Sequence, residues 1–135
     1  MNKKSFGIMA GLMACFLIFL TGCTPTYVEK GADNATAITV SVKIVAEDAN
    51  KTLYNGNISV KSTAPTLAMA TYQALITAKV SYSEVGGEYN NFAGYPTTID
   101  KGWVCTVNGV RVETGEKQQA IQNGDKIEWS YVELS

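Results

Sequence analysis

Apolar and polar residues alternate in two widely separated stretches of this chain, and this alternation constrains the fold most. Residues 38–45 carry Ile or Val at every second position, and residues 126–133 place Ile127, Trp129 and Tyr131 in the same way. Successive side chains of a strand point to opposite faces of its sheet, so a period of two indicates a strand with one buried face. The sequence therefore predicts two half-buried strands, with Ile127 and Trp129 facing inward.

One segment between these strands has the composition of a helix. Thr63 can cap its start, Pro65 suits its first turn, and helix-forming residues continue to about Lys79. Before it, residues 53–61 are predicted to form a second strand, which Asn55-Gly56 interrupts as a bulge or a tight turn. The apolar stripe of the helix is predicted to pack on one face of the sheet and consists of Leu67, Ala70 or Thr71, Ala74, Leu75 and Ala78.

Two turn signals shape the C-terminal half. Asn108-Gly109 favours a two-residue hairpin turn after the alternating residues Trp103, Cys105 and Val107, and Asn123-Gly124-Asp125 precedes the last strand. The order of elements is thus two strands, one helix, and three or more further strands. This order predicts an α+β fold of the β-grasp kind, in which a small, mostly antiparallel or mixed β-sheet is crossed by one helix.

The N-terminal segment has three parts in a fixed order. Lys3 and Lys4 form a basic start, residues 6–20 are uncharged and mostly apolar, and Leu20-Thr21-Gly22 leads into Cys23. The last four residues resemble the lipobox of bacterial lipoproteins, which implies cleavage before Cys23 and a lipid on its thiol. A transmembrane anchor and an ordinary secretory signal are the alternatives, although the apolar segment is shorter than the roughly 20 residues that a membrane span needs.

A signal peptide over residues 1–22 would leave 113 residues, which suffice for one domain. Residues 23–37 show no hydrophobic period and are predicted to be a flexible tether, followed by the domain over residues 38–135. The predicted location is extracytoplasmic, with a bacterial membrane as partner through the lipid on Cys23. Without Lys3 and Lys4, nine basic side chains face twelve acidic ones, so a nucleic-acid partner is not expected.

Residue types that carry catalysis or bind metals are scarce. The chain has no His, and with Cys15 in the signal and Cys23 on the lipid, Cys105 has no cysteine partner for a disulfide or a thiolate cluster. Nucleophilic side chains therefore lack an evident base, and we predict no enzymatic activity, no metal site and no cofactor. Cys105 itself is predicted to be a small buried side chain in a strand.

Aromatic residues are concentrated in residues 81–101, where Gly, Asn and Pro interrupt any regular pattern. In one interpretation these rings cover the edge of the sheet as part of the core. In the other, they form a binding loop on a rigid scaffold. The candidate ligand-binding residues of this loop and the neighbouring hairpin are Tyr89, Asn91, Phe92, Tyr95 and Trp103.

Two C-terminal motifs together resemble the transcobalamin-like C-terminal domain. They are Gly-Trp-Val-Cys-Thr-Val-Asn-Gly at residues 102–109 and Asn-Gly-Asp-Lys-Ile-Glu-Trp-Ser-Tyr at residues 123–131. In that family a hairpin that begins at an aromatic residue precedes a closing strand, and here the aromatic is Trp103. The resemblance extends over residues 38–134, with residues 95–99 matching a short strand of the family and Cys105 standing where the family has an aromatic.

The resemblance implies a function in ligand binding. The eukaryotic relatives are the smaller domain of the vitamin B12 carriers, where the domain closes over one side of the corrinoid. The chain is accordingly expected to be a bacterial lipoprotein that carries a binding module for a corrinoid or another small nutrient. The alternative is a non-catalytic structural or protein–protein interaction module, which would dock another envelope protein through a strand edge or the aromatic loop.

Overall fold

The structure is a computed structural model that describes residues 24–86, 88–113 and 118–134. Cys23 and the predicted signal peptide, residues 1–22, lie outside these ranges. The elements follow in the order β1 (Thr26–Val28), β2 (Ala37–Ala46), β3 (Lys51–Lys61), α1 (Leu67–Ala78), β4 (Tyr82–Val85), β5 (Glu88–Phe92), β6 (Tyr95–Pro96), β7 (Lys101–Val107), β8 (Val110–Arg111) and β9 (Lys126–Glu133). A short 3-10 turn, Glu47–Ala49, connects β2 to β3.

A six-stranded sheet forms the centre of the fold, with the strands in the order β1-β3-β2-β9-β7-β8. The first and last long strands, β2 and β9, lie side by side and parallel, and β1 is parallel to β3. The remaining neighbours in this sheet are antiparallel. A mixed sheet crossed by one helix confirms the predicted α+β fold class.

The core lies between α1 and one face of this sheet. Ile127 is in register with Val42 and Val107, and Trp129 with Ile44 and Cys105, so these side chains share a face. The side chains that α1 buries against this face are Leu67, Ala70, Thr71, Ala74 and Leu75. The predicted inward orientation of Ile127 and Trp129 is confirmed, as is the burial of Cys105.

One hydrogen bond ties the helix to the sheet inside the core. The indole N–H of Trp129 donates to Oγ1 of Thr71 over 3.0 Å, and both side chains are buried. The bond satisfies two polar groups that would otherwise be costly to bury. The helix ends as predicted at Lys79, whose left-handed backbone closes the last turn. Within the described ranges, no helix has the length and apolar content that a membrane crossing requires.

The helix begins later than its capping signals predict. Thr63 and Pro65 precede α1, and its N-cap is Thr66, whose side chain makes no capping hydrogen bond. The chain around Thr66 instead pairs with residues 119–121, because Leu67 donates its N–H to the Gln119 carbonyl and Ile121 donates to the Pro65 carbonyl. These long-range bonds take the place of a local cap.

The segment predicted as a flexible tether contains a strand, which corrects that prediction for β1. Its pairing is extended at both ends, because Ser59 donates its N–H to the Pro25 carbonyl over 2.8 Å and Glu29 donates to the Lys61 carbonyl over 2.9 Å. Ala32, in the turn after β1, is buried. The free edge of β3 supplies the partner groups that a three-residue strand needs.

The interruption predicted at Asn55-Gly56 is also absent from β3, where Gly56 pairs regularly with Val42. The irregularity lies two residues earlier, because the register shifts between Ile44 and Val45 and leaves Leu53 unpaired. Gly56 has a different role. A Cβ atom there would lie 3.2 Å from the hydroxyl oxygen of Tyr54, so the absence of a side chain lets the Tyr54 ring lie over Gly56.

The aromatic segment predicted to be irregular forms a second, three-stranded antiparallel sheet in the order β4-β5-β6. Ala93 and Gly94, both with positive φ, make the two-residue turn between β5 and β6. The strands of this small sheet are only two to five residues long, and a register shift opposite Ser83 and Glu84 leaves Asn90 of β5 without a register partner in β4. Such short strands give no extended alternation in the sequence.

The two predicted turns near the C-terminus are joined by Asn108. Its side chain donates to Oδ1 of Asp125 and accepts from the backbone N–H of Lys126, each over 2.9 Å. Asn108 also has a φ of 54° at the first position of the hairpin turn, a conformation that Asn tolerates better than most residues. Hydrogen bonds of Asn108 therefore connect the motif at residues 102–109 to the motif at residues 123–131.

We expect Asn108→Ala to lower the free energy of unfolding by about 2 kcal/mol, since it removes these bonds and strains the left-handed backbone. Asn108→Gly keeps the backbone relaxed and should cost about half as much. Urea denaturation of both variants measures the difference. Equal losses of stability in the two variants would show that the left-handed backbone conformation at Asn108 contributes nothing to the free energy of unfolding.

Candidate functional site

The aromatic residues of the second sheet pack against those of β7 and β9. Phe92 is fully buried, and its ring centroid lies 4.7 Å from that of Trp103 and 5.2 Å from that of Trp129. Tyr89 meets Trp129 edge to face at 5.7 Å. These rings close the open end of the core beyond α1, so the small sheet is fixed to the large one by aromatic packing.

Two hydrogen bonds fix the strand β6 beside β7 and β9. The indole N–H of Trp103 donates to the carbonyl of Tyr95 over 2.8 Å, and the hydroxyl of Tyr131 donates to the carbonyl of Pro96 over 2.7 Å. The three rings Tyr95, Tyr131 and Trp103 follow one another with centroid distances of 5.5 and 5.1 Å. Tyr95 and Trp103 stay half-exposed, so this part of the cluster reaches the surface.

A cavity of about 310 Å³ opens beside β7, between the small sheet and the β7–β8 hairpin. Apolar and aromatic side chains form one part of its wall, namely Tyr89, Trp103, Cys105, Val112 and Trp129. Polar and charged side chains form another part, namely Glu88, Asn90, Thr97, Arg111 and Glu113. This combination of apolar wall and few polar groups is typical of small-molecule sites.

The edge of β7 contributes its backbone to this cavity. The carbonyl of Lys101 accepts from Thr98 N–H over 2.7 Å, and that of Cys105 accepts from Val112 N–H over 2.9 Å, so both point away from β9. Peptide groups alternate in direction along a strand, and those of Trp103 therefore point to the same side. In the described part of the chain no strand pairs with β7 at this position.

The charges around the cavity are close to the surface. Arg111 and Glu113 form an exposed ion pair of 3.8 Å between Nε and Oε2, which contributes little to stability. At the start of β7, Lys101 pairs with Asp48, and the hydrogen bond to that carboxylate raises the pKa of Lys101 above its usual range. Lys101 thus stays protonated and the Asp48 charge is compensated. Among the described residues no cluster of His, Cys, Asp and Glu could hold a metal ion.

The five predicted ligand-binding residues separate into two groups. Tyr89 and Trp103 line the cavity, whereas Tyr95 supports it by holding the Trp103 indole through its carbonyl. Phe92 lies wholly in the core, and the Asn91 side chain accepts the Gly94 N–H over 3.0 Å and so stabilises the β5–β6 turn. The structure brings the four aromatic residues together in one cluster, and Asn91 lies on β5 beside Phe92.

The sequence did not lead us to predict that residues of the β7–β8 hairpin and Asn90 of β5 line the cavity. Arg111 and Val112 follow Val110 after the Asn108-Gly109 turn, and that turn places Arg111 opposite Thr106 and the Val112 N–H on the Cys105 carbonyl. This placement could have been inferred from the turn itself. Asn90 could not, because its position depends on the small sheet that the sequence does not reveal.

The described fold and parts of the sequence are similar to known proteins. A family described as "Domain of unknown function (DUF4430)" matches residues 69–133. No curated protein matches the chain in sequence. Haptocorrin in complex with Cbi matches the structure with a TM-score of 0.61 and 16% sequence identity, over 75% of this chain and 26% of haptocorrin.

A second solved structure is that of a protein from Ruminococcus gnavus ATCC 29149, described provisionally as metal binding. It matches with a TM-score of 0.48 and 16% identity, over 73% of this chain and 99% of that protein. The chain spans about a quarter of the length of haptocorrin, so the likeness concerns one part of that protein. The likeness to haptocorrin is one of fold, at low sequence identity, and the family match covers the part of the chain that contains both C-terminal motifs.

Proposed function

We propose that this chain is a bacterial envelope lipoprotein whose single domain is a non-catalytic module for binding a small ligand, with a corrinoid as the first candidate. The observation that carries the proposal is the cavity beside β7, where the rings of Tyr89 and Trp103 meet a strand edge that no described strand pairs at Trp103 and the charges of Arg111 and Glu113. Rings supply a stacking surface, and peptide and charged groups supply orientation.

The size of the cavity favours contact with one side of a larger ligand. Ligand pockets commonly have volumes of about 300–1,000 Å³, and this cavity of about 310 Å³ lies at the lower end. A flat ligand such as a corrinoid would rest one edge or substituent in it and stay open to solvent elsewhere. Haptocorrin, which shares this fold over about a quarter of its length, was solved with Cbi, and this supports a corrinoid as the first ligand to test.

Calorimetric titration with cobalamin, cobinamide and haem tests the proposal on the full chain. We expect one of the corrinoids to bind, and Arg111→Ala to weaken binding by about tenfold, as the loss of one charge-assisted hydrogen bond would. Lys30→Ala is the matched control, because Lys30 is an exposed cation beyond β1, at the opposite edge of the sheet. If none of the three ligands binds, the proposed site is wrong. It is also wrong if both variants bind the corrinoid as tightly as wild type does.

The lipid anchor is a separate part of the proposal and rests on Leu20-Thr21-Gly22-Cys23. Cys23→Ala should abolish lipid attachment and normal cleavage, because the modified thiol defines both steps. Mass spectrometry of the intact protein from membrane and soluble fractions measures the outcome, with Cys105→Ala as a control that retains lipidation. Processing and membrane retention of the Cys23→Ala protein like those of the parent would contradict the anchor.

A second candidate function, docking of another envelope protein, is favoured by one specific feature. Ile99 is 93% exposed at the tip of the turn before β7, and this turn is held by the Thr98 hydroxyl, which accepts from the N–H groups of Asp100 and Lys101. A rigidly presented aliphatic side chain beside the edge of β7, which no described strand pairs at Trp103, suits strand addition by a partner. Loss of co-purifying envelope proteins in an Ile99→Asp chain, with corrinoid binding absent from wild type, would favour this function.

A further inference from the structure

We propose that the domain rests on the membrane through a tyrosine face, defined here as Tyr27, Tyr72, Ile76 and Tyr82. The inference builds on the proposed lipidation of Cys23 and adds an orientation to it. It replaces the picture of a domain held away from the bilayer by a flexible tether. The occupant of this face is the headgroup region of the bilayer that would carry the Cys23 lipid.

The tyrosine face is an aromatic surface that runs from β1 across the exposed side of α1 to β4, with Tyr27 half-buried at its β1 end. Tyr72 meets Tyr27 edge to face at a centroid distance of 6.2 Å, and it meets Tyr82 in the same manner at 6.3 Å. Tyr72 is 38% exposed, Tyr82 37% and Ile76, one turn further along the helix, 45%. Tyrosine is favoured at membrane interfaces, because its ring is apolar and its hydroxyl is polar.

The helix that carries this face lacks the usual signature of a solvated surface. Its twelve residues, Leu67–Ala78, include no Asp, Glu, Lys or Arg. A helix on the surface of a soluble domain normally opposes its buried stripe with charged and polar residues, whereas a helix that is hydrophobic all round is buried. The exposed side of α1 carries Gln73 and Thr77 but no charge, so it is suited to a second, weakly polar cover.

The distance from the anchor identifies this cover as the membrane. Only Thr24 and Pro25 separate Cys23 from β1, and Pro25 already accepts the Ser59 N–H through its carbonyl. An extended chain spans at most about 3.6 Å per residue, so the Cα atom of Tyr27 lies within about 14 Å of that of Cys23. A lipid on Cys23 would therefore hold the Tyr27 end of the tyrosine face at the height of the headgroups.

This orientation leaves the candidate ligand site accessible. β7 lies four strands from β1 in the sheet, which at about 4.8 Å per strand corresponds to about 19 Å. The cavity beside β7 therefore lies at a distance from the anchored edge, although Tyr82 meets the cavity-lining Tyr89 at a ring-centroid distance of 5.7 Å. Membrane contact and ligand binding use different residues, and each can be tested without the other.

The test uses the full chain, lipidated in a bacterial host, verified by intact mass and reconstituted in vesicles of phosphatidylethanolamine and phosphatidylglycerol. Ile76→Cys carries an environment-sensitive fluorophore, and Lys43→Cys is the matched control, since Lys43 is exposed on the sheet face opposite α1. Cys105 is 3% exposed and is shielded from the label. We expect a lipid-borne quencher to act several-fold more strongly at position 76 than at position 43.

A second substitution in the labelled chain makes the result specific. Tyr72→Glu, added to Ile76→Cys, should reduce the quenching to the level at position 43, whereas Lys43→Glu should leave it unchanged. Equal quenching at positions 76 and 43 of a lipidated protein overturns the membrane contact and leaves the ligand site untouched. The membrane contact is also overturned if position 76 is shielded from aqueous iodide and the lipid-borne quencher does not reach it, because this result would indicate a protein cover. A mass without lipid overturns both the anchor and the contact.

Discussion

Replacing Trp129 with alanine is expected to lower the free energy of unfolding by about 3–5 kcal/mol. The indole is 2% exposed, packs on Tyr89 and Phe92, and supplies the hydrogen bond to Thr71 that joins the sheet to α1. Removing the indole leaves a cavity in the core and also leaves the Thr71 hydroxyl without the Trp129 N–H. Urea denaturation of a chain beginning at Thr24 measures the loss, because β1 belongs to the sheet and must be included.

Two controls separate the causes of this loss. Trp129→Phe should keep part of the ring packing and cost less than the alanine variant, and Thr71→Ala should cost about 1–3 kcal/mol by leaving the indole N–H without its acceptor. An unchanged denaturation midpoint in Trp129→Ala would show that the closing strand presents its other face to the core.

Phe92→Ala is expected to cost a similar 3–5 kcal/mol, although Phe92 is a candidate ligand-binding residue by sequence. Its ring is fully buried and lies between Trp103, Trp129 and Tyr89, so its loss would separate the small sheet from the large one. We expect a midpoint shift of more than about 1 M urea.

Tyr82→Ala is the matched control for Phe92, because the two residues are register partners on β4 and β5 and Tyr82 is 37% exposed. Tyr82→Ala should lower the free energy of unfolding by less than half as much as Phe92→Ala does. If both variants lose the same stability, the rings of the small sheet do not divide into core and surface as described. If Phe92→Ala retains full stability and loses ligand binding, Phe92 is a ligand contact and the burial argument fails.

The elements that the sequence predicts correctly are those whose signal lies within a few neighbouring residues. The alternation over residues 126–133 predicted β9 with its inward Ile127 and Trp129, and Asn108-Gly109 predicted the β7–β8 hairpin. Each of these signals lies within a few residues and reflects the period of a strand or the backbone preference of a turn. The fold class followed from their order along the chain.

Elements that depend on distant partners were missed. β1 has three residues and exists because β3 offers a free edge, and the start of α1 moves to Leu67 because Gln119 accepts its N–H. The small sheet is stabilised by Phe92 and Trp103, which are 11 positions apart and belong to different sheets. Aromatic composition indicated that this segment mattered, but only the packing shows which rings line the cavity and which fill the core.

The central claim, that the cavity beside β7 is the ligand site, can be tested by one NMR titration. The chain has two tryptophans, so its proton–nitrogen spectrum contains two indole signals. The Trp103 indole N–H bonds the Tyr95 carbonyl in the half-exposed part of the cluster. The ring of Trp129 also borders the cavity, but its indole N–H bonds Thr71 in the core, away from the ligand. On titration with cobinamide, we predict a saturating shift of the Trp103 signal and a much smaller one for Trp129. If the Trp103 signal stays in place at saturating cobinamide, the claim is contradicted.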